Sequence, residues 1–278
     1  MQHAIAHRQS LPQSLAAIGW LVLISVMLCL SQPAPAQSLP GAPSFKKGII
    51  KRDKEGSVVL DGKGRDSLAE LTKGHFEKAV GTGFFVSKAG HILTNQHVIE
   101  GCPMITAQDV NGQTVLAEVI KENEPLDLAV LRSSATPPVV ARFRLPDNRL
   151  RRNARLRTHG YPTLTLTPVH PQETDLRLLE EKPVISRMVM RGELFPGNSG
   201  GPIMDMDGRI VGVAVAKINT VALYKKTGLL IEDISYAVSG GAAFEFLSRN
   251  GVTPQTASGS AQVPGDDNKI VVRIGCWN

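Results

Sequence analysis

From Ser57 onward, short apolar runs alternate with polar turn residues, which is the pattern of a β protein. The Asn111-Gly112 pair predicts a tight hairpin turn between two of these runs. The runs of the first half are SVVL at 57–60, AVGTGFFVS at 79–87, HILTNQHVI at 91–99, MITAQDV at 104–110, TVLAEVIKE at 114–122 and DLAVLRS at 127–133. The first half therefore predicts about six short strands.

A second set of runs follows a proline-bearing, arginine-rich segment. These runs are ARLRTHGYP at 154–162, EKPVISRMVMRG at 181–192, GGPIMDM at 200–206, RIVGVAVAKI at 209–218, VALYKK at 221–226 and DISYAV at 233–238. Residues 240–251 then predict a short closing helix that ends at Asn250-Gly251. Two sets of six strands predict an all-β fold of two six-stranded antiparallel β-barrels, about 56–140 and 155–245, with a short C-terminal helix. Residues 56–250 form the predicted domain. The 251–278 tail is polar until KIVVRIGCWN, which predicts a last strand.

The first 36 residues have the features of a secretory signal peptide. Arg8 and no acid precede an apolar run at 15–30, and small residues stand at Ala34 and Ala36, so cleavage is predicted after Ala36. An uncleaved membrane anchor is the alternative, but the run is short for a membrane span. Residues 37–55, rich in proline, glycine and lysine, predict a flexible leader. The protein is therefore expected to be secreted or periplasmic, without a stable membrane anchor after cleavage.

The charge of the chain is mildly basic. Removal of the signal leaves 30 basic against 25 acidic side chains, which does not by itself indicate nucleic-acid binding, so no nucleic-acid partner is expected. Seven arginines are concentrated at 142–157. They are interpreted as a solvated face between domains, with contact to an anionic surface or acidic partner as the alternative.

Two cysteines, Cys102 and Cys276, remain after signal cleavage. An exported chain permits a disulfide between them, and two free thiols are the alternative. Neither cysteine has a local setting that would activate a thiolate.

The segment LFPGNSGGP at 194–202 holds one serine among glycines. A tight turn between strands explains the glycines, since they adopt positive φ freely. A reactive Ser199 with bare backbone N–H groups around it explains them equally well. A serine hydroxyl becomes a good nucleophile only beside a base, usually a histidine oriented by a carboxylate.

Two residues of the first half are candidates for that base and that carboxylate. His97, in TNQHVI, follows a strand and enters a helical turn, so its ring can project into a cleft. Asp127 heads the apolar run LAVL, where an aspartate needs partners. Each alone is more simply a surface, packed or turn residue. Together they give the chain order His97, Asp127, Ser199, with the first two in one barrel and the serine in the other, as in chymotrypsin-type triads.

With these motifs, the sequence resembles a trypsin-like serine protease of the HtrA/Deg branch over about residues 56–250. The matching stretches are GTGFFVSKAGHILTNQHVIEG, DLAVLR, PGNSGGPIMDMDGRIVGV and ISYAV. The resemblance implies catalytic roles for His97, Asp127 and Ser199, and an oxyanion hole formed by the N–H groups of Gly197 and Ser199. It implies hydrolysis of polypeptide substrates without a metal or cofactor. A non-catalytic peptide-binding or chaperone module on the same fold is the alternative.

Asn198 departs from the digestive branch, which has an aspartate there that pairs with a new N-terminal amine. Asparagine carries no charge for such a pair, so activity is expected without that cleavage. Order in the loop must then come from other contacts, with substrate or another subunit as the candidates.

Substrate binding is the least specific part of the resemblance. It implies that Val215, Ala216 and Lys217 pair with the substrate backbone, and that Leu194, Val215 and Ile234 line the first pocket. No acid lies there, so a preference for lysine or arginine is not expected; a small or medium apolar side chain is expected, with an acidic preference left open. HtrA relatives mostly carry a PDZ domain, and the 28 residues after Asn250 are too few for one. The oligomeric state is expected to be a monomer or homotrimer.

Overall fold

The computed structural model describes residues 72–145, 150–163, 170–182, 186–217, 233–257 and 266–278. Within these ranges the chain forms fourteen strands, two α-helices and a 3₁₀ helix. The predicted signal peptide, the leader and the predicted strands at 57–60 and 221–226 lie outside the described residues.

The strands of the first half are β1 (Glu77–Phe85), β2 (His91–Thr94), β3 (Met104–Gln108), β4 (Thr114–Asn123), β5 (Leu128–Ser133) and β6 (Arg142–Arg144). Those of the second half are β7 (Arg155–Gly160), β8 (Gln172–Lys182), β9 (Arg187–Arg191), β10 (Pro202–Asp205), β11 (Ile210–Lys217), β12 (Ile234–Ser239), β13 (Gln255–Ala257) and β14 (Val271–Trp277). The helices are α1 (Gln96–Ile99), α2 (Gly240–Arg249) and the 3₁₀ helix Asp267–Ile270. The strand-rich prediction is confirmed.

The first barrel is closed by a strand from the C-terminal tail. Its order is β1-β14-β3-β4-β5-β2, and β14 pairs antiparallel with β1 on one side and with β3 on the other. Val272 and Ile274 of β14 are buried in the barrel core with Ile92, Ile105 and Leu131. The predicted last strand at the C-terminus is present, and its place is inside the first barrel.

A disulfide between Cys102 and Cys276 fixes β14 to the segment after α1. The two cysteines are 174 residues apart in sequence. Beyond β14, Asn278 holds the start of the barrel, because its side-chain Oδ1 accepts a hydrogen bond of 2.7 Å from the backbone N–H of Phe76. Of the two alternatives that the sequence left open, the structure has the bonded form.

The second barrel closes on itself in the order β10-β7-β8-β9-β12-β11, with β10 and β11 paired. β6 and β13 extend it as parallel strands beyond β11. Strand β8 was not predicted from the sequence, because its acidic residues hide the alternation. Leu176 and Leu178 of β8 are buried and point inward, while Arg177 between them faces outward.

The two barrels share a core. Phe84 and Leu128 of the first barrel pack in one apolar cluster with Met204 and Val213 of the second. Helix α2 adds Phe246 and Leu247 to this cluster, as its apolar stripe predicts. No helix in the described part of the chain is long and apolar enough to cross a membrane.

Candidate active site

The predicted histidine lies on α1, a single helical turn directly after β2. Val98 and Ile99 are buried and anchor the turn in the barrel core, while the His97 side chain is 44% exposed. The β2 strand therefore delivers the imidazole to the surface of the first barrel, beside the second.

Asp127 lies immediately before β5 and contacts His97 in three ways. Its Oδ1 accepts a 3.0 Å hydrogen bond from the His97 backbone N–H. The His97 Nδ1 atom lies 2.8 Å from Asp127 Oδ2 and 3.0 Å from Oδ1. A carboxylate only accepts hydrogen bonds, so the contact places the proton on Nδ1, and a neutral ring then has Nε2 free as an acceptor.

The Ser199 loop packs against the first barrel next to this pair. Thr82 N–H on β1 donates to the Ser199 carbonyl at 2.8 Å. A Cβ on Gly81 would meet both the Val98 side chain and the Ser199 carbonyl. Gly81 of β1 therefore lies between the helix that carries His97 and the backbone of Ser199. The fold thus brings the three predicted residues, from two barrels, to one surface.

The Ser199 hydroxyl donates to the Val215 carbonyl at 2.6 Å. A hydroxyl has one hydrogen to donate, so in this rotamer it is not donated to His97. Rotation about χ1 to another staggered well would redirect it. Val215 occupies a bulge in the β11–β12 pairing, where the register shifts between Ala214 and Ala216.

The peptide between Pro196 and Gly197 has a fixed orientation. The Pro196 carbonyl accepts a 2.8 Å hydrogen bond from Thr163 N–H, on the segment that follows β7. Because the O and H of a trans peptide point in opposite directions, the Gly197 N–H is turned away from Thr163. Gly197 has φ +96°, and a Cβ there would collide with the Tyr161 carbonyl, so only glycine fits.

Thr82 is a residue of the site that sequence reasoning missed. Its Oγ1 donates to the Gly197 carbonyl at 2.5 Å and accepts from Tyr161 N–H at 3.1 Å, while its backbone N–H holds Ser199. One fully buried side chain on β1 thus joins the segment after β7 to the serine loop. These contacts supply order to the loop around Asn198, which is itself buried. The motif GTGFF contained Thr82, but an isolated threonine in a strand carries no signal of this role.

The predicted substrate-binding residues are distributed over three segments. Leu194 is 2% exposed and packs in the core of the second barrel, and its N–H lies 3.3 Å from the Ser235 hydroxyl. Ala216 and Lys217 pair through their backbones with β12, whose first residue is Ile234. Val215 and Ile234 are half-buried. Glu193, directly before Leu194 in sequence, is half-buried, and the expected absence of an acid from this pocket stays a prediction.

The arginine-rich segment is divided between ion pairs and solvent. Arg144 Nη1 lies 2.7 Å from Asp205 Oδ2, and Arg157 pairs with Asp267 of the 3₁₀ helix. The other described arginines of the segment, which are Arg142, Arg151, Arg152 and Arg155, are exposed. Arg144 and Arg157 thus stabilise the fold, and the exposed members leave both interpretations of the segment open.

Comparison with known proteins agrees with this architecture. Residues 81–213 match the family model of the trypsin-like peptidase domain. A solved serine endoprotease from Yersinia pestis superposes with a TM-score of 0.53 at 22% identity, covering 62% of this chain and 58% of that one. The HtrA-type protease AlgW, solved with a decapeptide, superposes with a TM-score of 0.51 at 21% identity, covering 61% and 51%. These two likenesses show the fold.

Three relatives match by sequence. The protein y4bJ of Sinorhizobium fredii is 30% identical over 197 residues, which are 66% of this chain and 29% of that protein. A probable periplasmic DegP-like serine endoprotease of Hahella chejuensis is 28% identical, over 62% of this chain and 35% of the relative. Serine protease HTRA1 of Xenopus laevis is 24% identical, over 66% and 38%. The chain spans about a third of the length of these relatives.

The match to the family model lies across both barrels, from Gly81 of β1 to Val213 of β11, and it includes His97, Asp127 and Ser199. Residues 81–213 therefore resemble a trypsin-like peptidase domain, and the chain is similar to HtrA and DegP serine proteases.

Proposed function

We propose that this protein is an exported serine endopeptidase that acts through His97, Asp127 and Ser199. The observation that carries the proposal is the double contact of His97 Nδ1 with the Asp127 carboxylate, beside the loop that presents Ser199. This contact orients the ring so that Nε2 is the atom left to act as base.

In the proposed reaction, the Ser199 hydroxyl turns from Val215 toward His97 and attacks the carbonyl carbon of a peptide bond. His97 Nε2 takes the hydroxyl proton and then gives it to the leaving amine, which departs as the acyl-enzyme forms. Water, deprotonated by His97, attacks the ester and releases the acid with Ser199 restored. Asp127 stabilises the imidazolium during each proton transfer.

The tetrahedral intermediate carries a negative charge on the former carbonyl oxygen. We assign its stabilisation to the N–H groups of Gly197 and Ser199. The contact of Thr163 with the Pro196 carbonyl supports this assignment, because it turns the Gly197 N–H away from Thr163. Removal of one such donor typically costs about 3 kcal/mol of transition-state stabilisation.

We further propose that the substrates are unfolded or damaged polypeptides, bound as an added strand along Val215, Ala216 and Lys217. The bulge at Val215, where the register of the β11–β12 pair shifts, supports this mode of binding. A small or medium apolar residue before the cleaved bond remains the proposed preference. Cleavage-site profiling on a denatured proteome would test it, and cleavage mainly after lysine or arginine would contradict it and implicate Glu193.

Export is supported by the Cys102–Cys276 disulfide, since disulfides persist in oxidising compartments, and by the periplasmic name of the Hahella relative. Expression of the full chain in a bacterial host, followed by fractionation and N-terminal sequencing, tests this. Mature protein that begins at Gln37 outside the cytoplasm is expected. Retention of the uncleaved chain in the cytoplasm would contradict export.

The central experiment is replacement of the nucleophile. Ser199→Ala should abolish both hydrolysis of reduced casein and labelling by a fluorophosphonate probe, and Asp127→Asn should slow turnover by about 10⁴-fold. Ser248→Ala, which changes an exposed serine of α2, serves as the matched control and should retain full activity.

A non-catalytic peptide-binding role is favoured by one observation, the hydrogen bond of the Ser199 hydroxyl to Val215. If that rotamer persists with peptide bound, the wild-type protein will bind peptides, ignore the probe and cleave nothing. That result would contradict the proposed endopeptidase activity and support the peptide-binding role.

A further inference from the structure

Asp127 has a left-handed backbone conformation, which few residues other than glycine, asparagine and aspartate adopt. Its φ is +58°, in the left-handed region, which costs an L-residue about 1 to 2 kcal/mol unless local hydrogen bonds offset the cost, as they can for asparagine and aspartate. Such strain persists where neighbouring groups fix the backbone. The carboxylate reaches His97 from this conformation, so whatever fixes the backbone also sets the position of the carboxylate.

Three of the fixing groups belong to the first barrel. The Asp127 N–H donates to the Glu124 carbonyl at 2.9 Å, and the Asn123 side chain accepts from Leu126 N–H at 3.0 Å. The Asn95 amide, next to α1, donates to the Asp127 carbonyl at 2.7 Å. These bonds form a closed turn between β4 and β5.

The remaining group comes from the second barrel. Arg187, the first residue of β9, donates from Nη1 to the Leu126 carbonyl at 2.9 Å and from Nη2 to the Pro125 carbonyl at 3.2 Å. Both acceptors immediately precede Asp127. A guanidinium group suits two successive carbonyls because its donors form a rigid planar fork, which an ammonium group lacks.

We propose that Arg187 is a positioning residue for the reaction: it holds the 125–126 backbone so that the strained Asp127 keeps its carboxylate on His97 Nδ1. This inference rests on the proposed function and deepens it. β9 leads through the 192–198 loop to Ser199, so Arg187 also ties the segment that presents the nucleophile to the turn that presents the carboxylate.

A purely structural role for Arg187, as a staple between barrels, predicts a different set of results. Loss of a staple lowers the melting temperature and leaves the properties of the His97–Asp127 pair unchanged in the folded protein. A positioning residue acts through the Asp127 carboxylate, so its effect on turnover disappears when that carboxylate is absent.

The test compares Arg187→Met and Arg187→Lys in two backgrounds, the wild-type chain and Asp127→Ala. Turnover is measured with a fluorogenic peptide taken from a cleavage site in reduced casein, at a temperature well below the melting point of each variant. The control is Arg273→Met, which removes a half-buried arginine that pairs in a fork with Glu77 at 2.7 Å, within the first barrel.

In the wild-type background, Arg187→Met is expected to lower kcat by about 10²-fold, the scale of a misplacement of about 1 Å in a catalytic group. KM should change little, because the peptide does not contact Arg187 in the proposed mode. The kcat of Arg187→Lys should lie between those of the wild type and Arg187→Met, at roughly a tenfold loss. In the Asp127→Ala background neither replacement should lower kcat further. Arg273→Met should lower the melting temperature and leave kcat within about twofold.

A second readout does not depend on activity. The downfield proton resonance of the His97 Nδ1–H, assigned by its loss in His97→Gln, should vanish in Arg187→Met and remain in Arg273→Met. If Ser199→Ala and wild type prove equally inactive, the proposed function fails, and this resonance still decides the positioning role.

Two outcomes would overturn the inference. One is a kcat for Arg187→Met within twofold of wild type with the resonance retained. The other is an equal fold-loss in both backgrounds. If Arg187→Met does not fold, Arg187→Lys decides by the same two criteria.

Discussion

The two barrels close in different ways. The second barrel is made from strands between 155 and 239, and its last joint is the short β10–β11 hairpin. The first barrel needs β14, which returns from residues 271–277 to lie between β1 and β3. His97 and Asp127 therefore stand on a barrel closed by a distant strand, and Ser199 stands on one closed locally.

This difference shows which part of the candidate site is easier to destabilise. Long-range closure costs more chain entropy than a hairpin does. The disulfide offsets this cost by joining Cys276 of β14 to Cys102, five residues after His97. The first barrel thus depends on a covalent link that the second barrel, in its described strands, does not use.

The largest expected effect comes from removal of that link. For a 174-residue separation, the chain-entropy model gives a loss of about 5 kcal/mol in the free energy of unfolding, and removal of a native disulfide typically costs about 2–5 kcal/mol. Guanidinium denaturation of the double variant Cys102→Ala with Cys276→Ala measures the loss. Reductant should destabilise the wild type similarly and should not affect the variant. Equal stability of all forms would show that β14 holds its place without the bond.

The next-largest effect is expected from cavities created at matched buried positions in the two barrels. Ile274 of β14 and Ile203 of β10 are both fully buried, so Ile274→Ala and Ile203→Ala should each lower the free energy of unfolding by about 2–5 kcal/mol. In the reduced protein, Ile274→Ala should also produce an early transition as β14 detaches, followed by protease digestion of the tail. Ile203→Ala should keep a single transition. The same early transition in both variants would contradict separate closure.

A smaller effect is expected from a methyl group added at Gly81. Its Cβ would lie 2.5 Å from Val98 Cγ1 and 3.2 Å from the Ser199 carbonyl, so Gly81→Ala should shift the turn of His97. We expect a loss of kcat of about 10²-fold with the fold retained. Gly212→Ala in the second barrel, where a Cβ would meet the Val238 carbonyl at 2.8 Å, is the control and should affect stability more than kcat. A larger loss of kcat in Gly212→Ala than in Gly81→Ala would contradict the placement of Gly81 between the turn of His97 and Ser199.

The smallest effect concerns pH. Burial lowers the pKa of His159 on β7, while Glu173 and Asp267 oppose that shift and Arg157 adds to it. Since the folded form binds the proton less readily than the unfolded chain, stability should fall as pH drops below about 6.5. Burial and Arg132 likewise lower the pKa of His91, a half-buried residue of the first barrel. Between pH 7.5 and 5, the melting temperature should fall less steeply with falling pH in His159→Gln and in His91→Gln than in the wild type. If both variants keep the wild-type dependence of melting temperature on pH, these two histidines do not contribute to it.

Much of the architecture could be predicted from the sequence because it is local. The 91–94 strand with its helical turn, the 109–113 hairpin and α2 each arise from neighbouring residues, and the structure has them all. The β8 strand was missed because its alternation places Leu176 and Leu178 among acidic residues. The barrel to which β14 belongs could not be predicted, since strand pairing depends on contacts far apart in sequence.

For the site, the sequence by itself determined the candidate catalytic groups. They are a histidine after a strand, an aspartate before one, and a serine among glycines, in an order that matches one protease family. The tertiary structure alone decided what holds these groups. Thr82 and Arg187 carry no sequence signal, because an isolated threonine or arginine in a strand is commonplace. Their roles arise only when two barrels meet and bring β1 to the serine loop and β9 to the turn of Asp127. Hydrogen bonds across such an interface depend on geometry, and the linear chain does not contain that geometry.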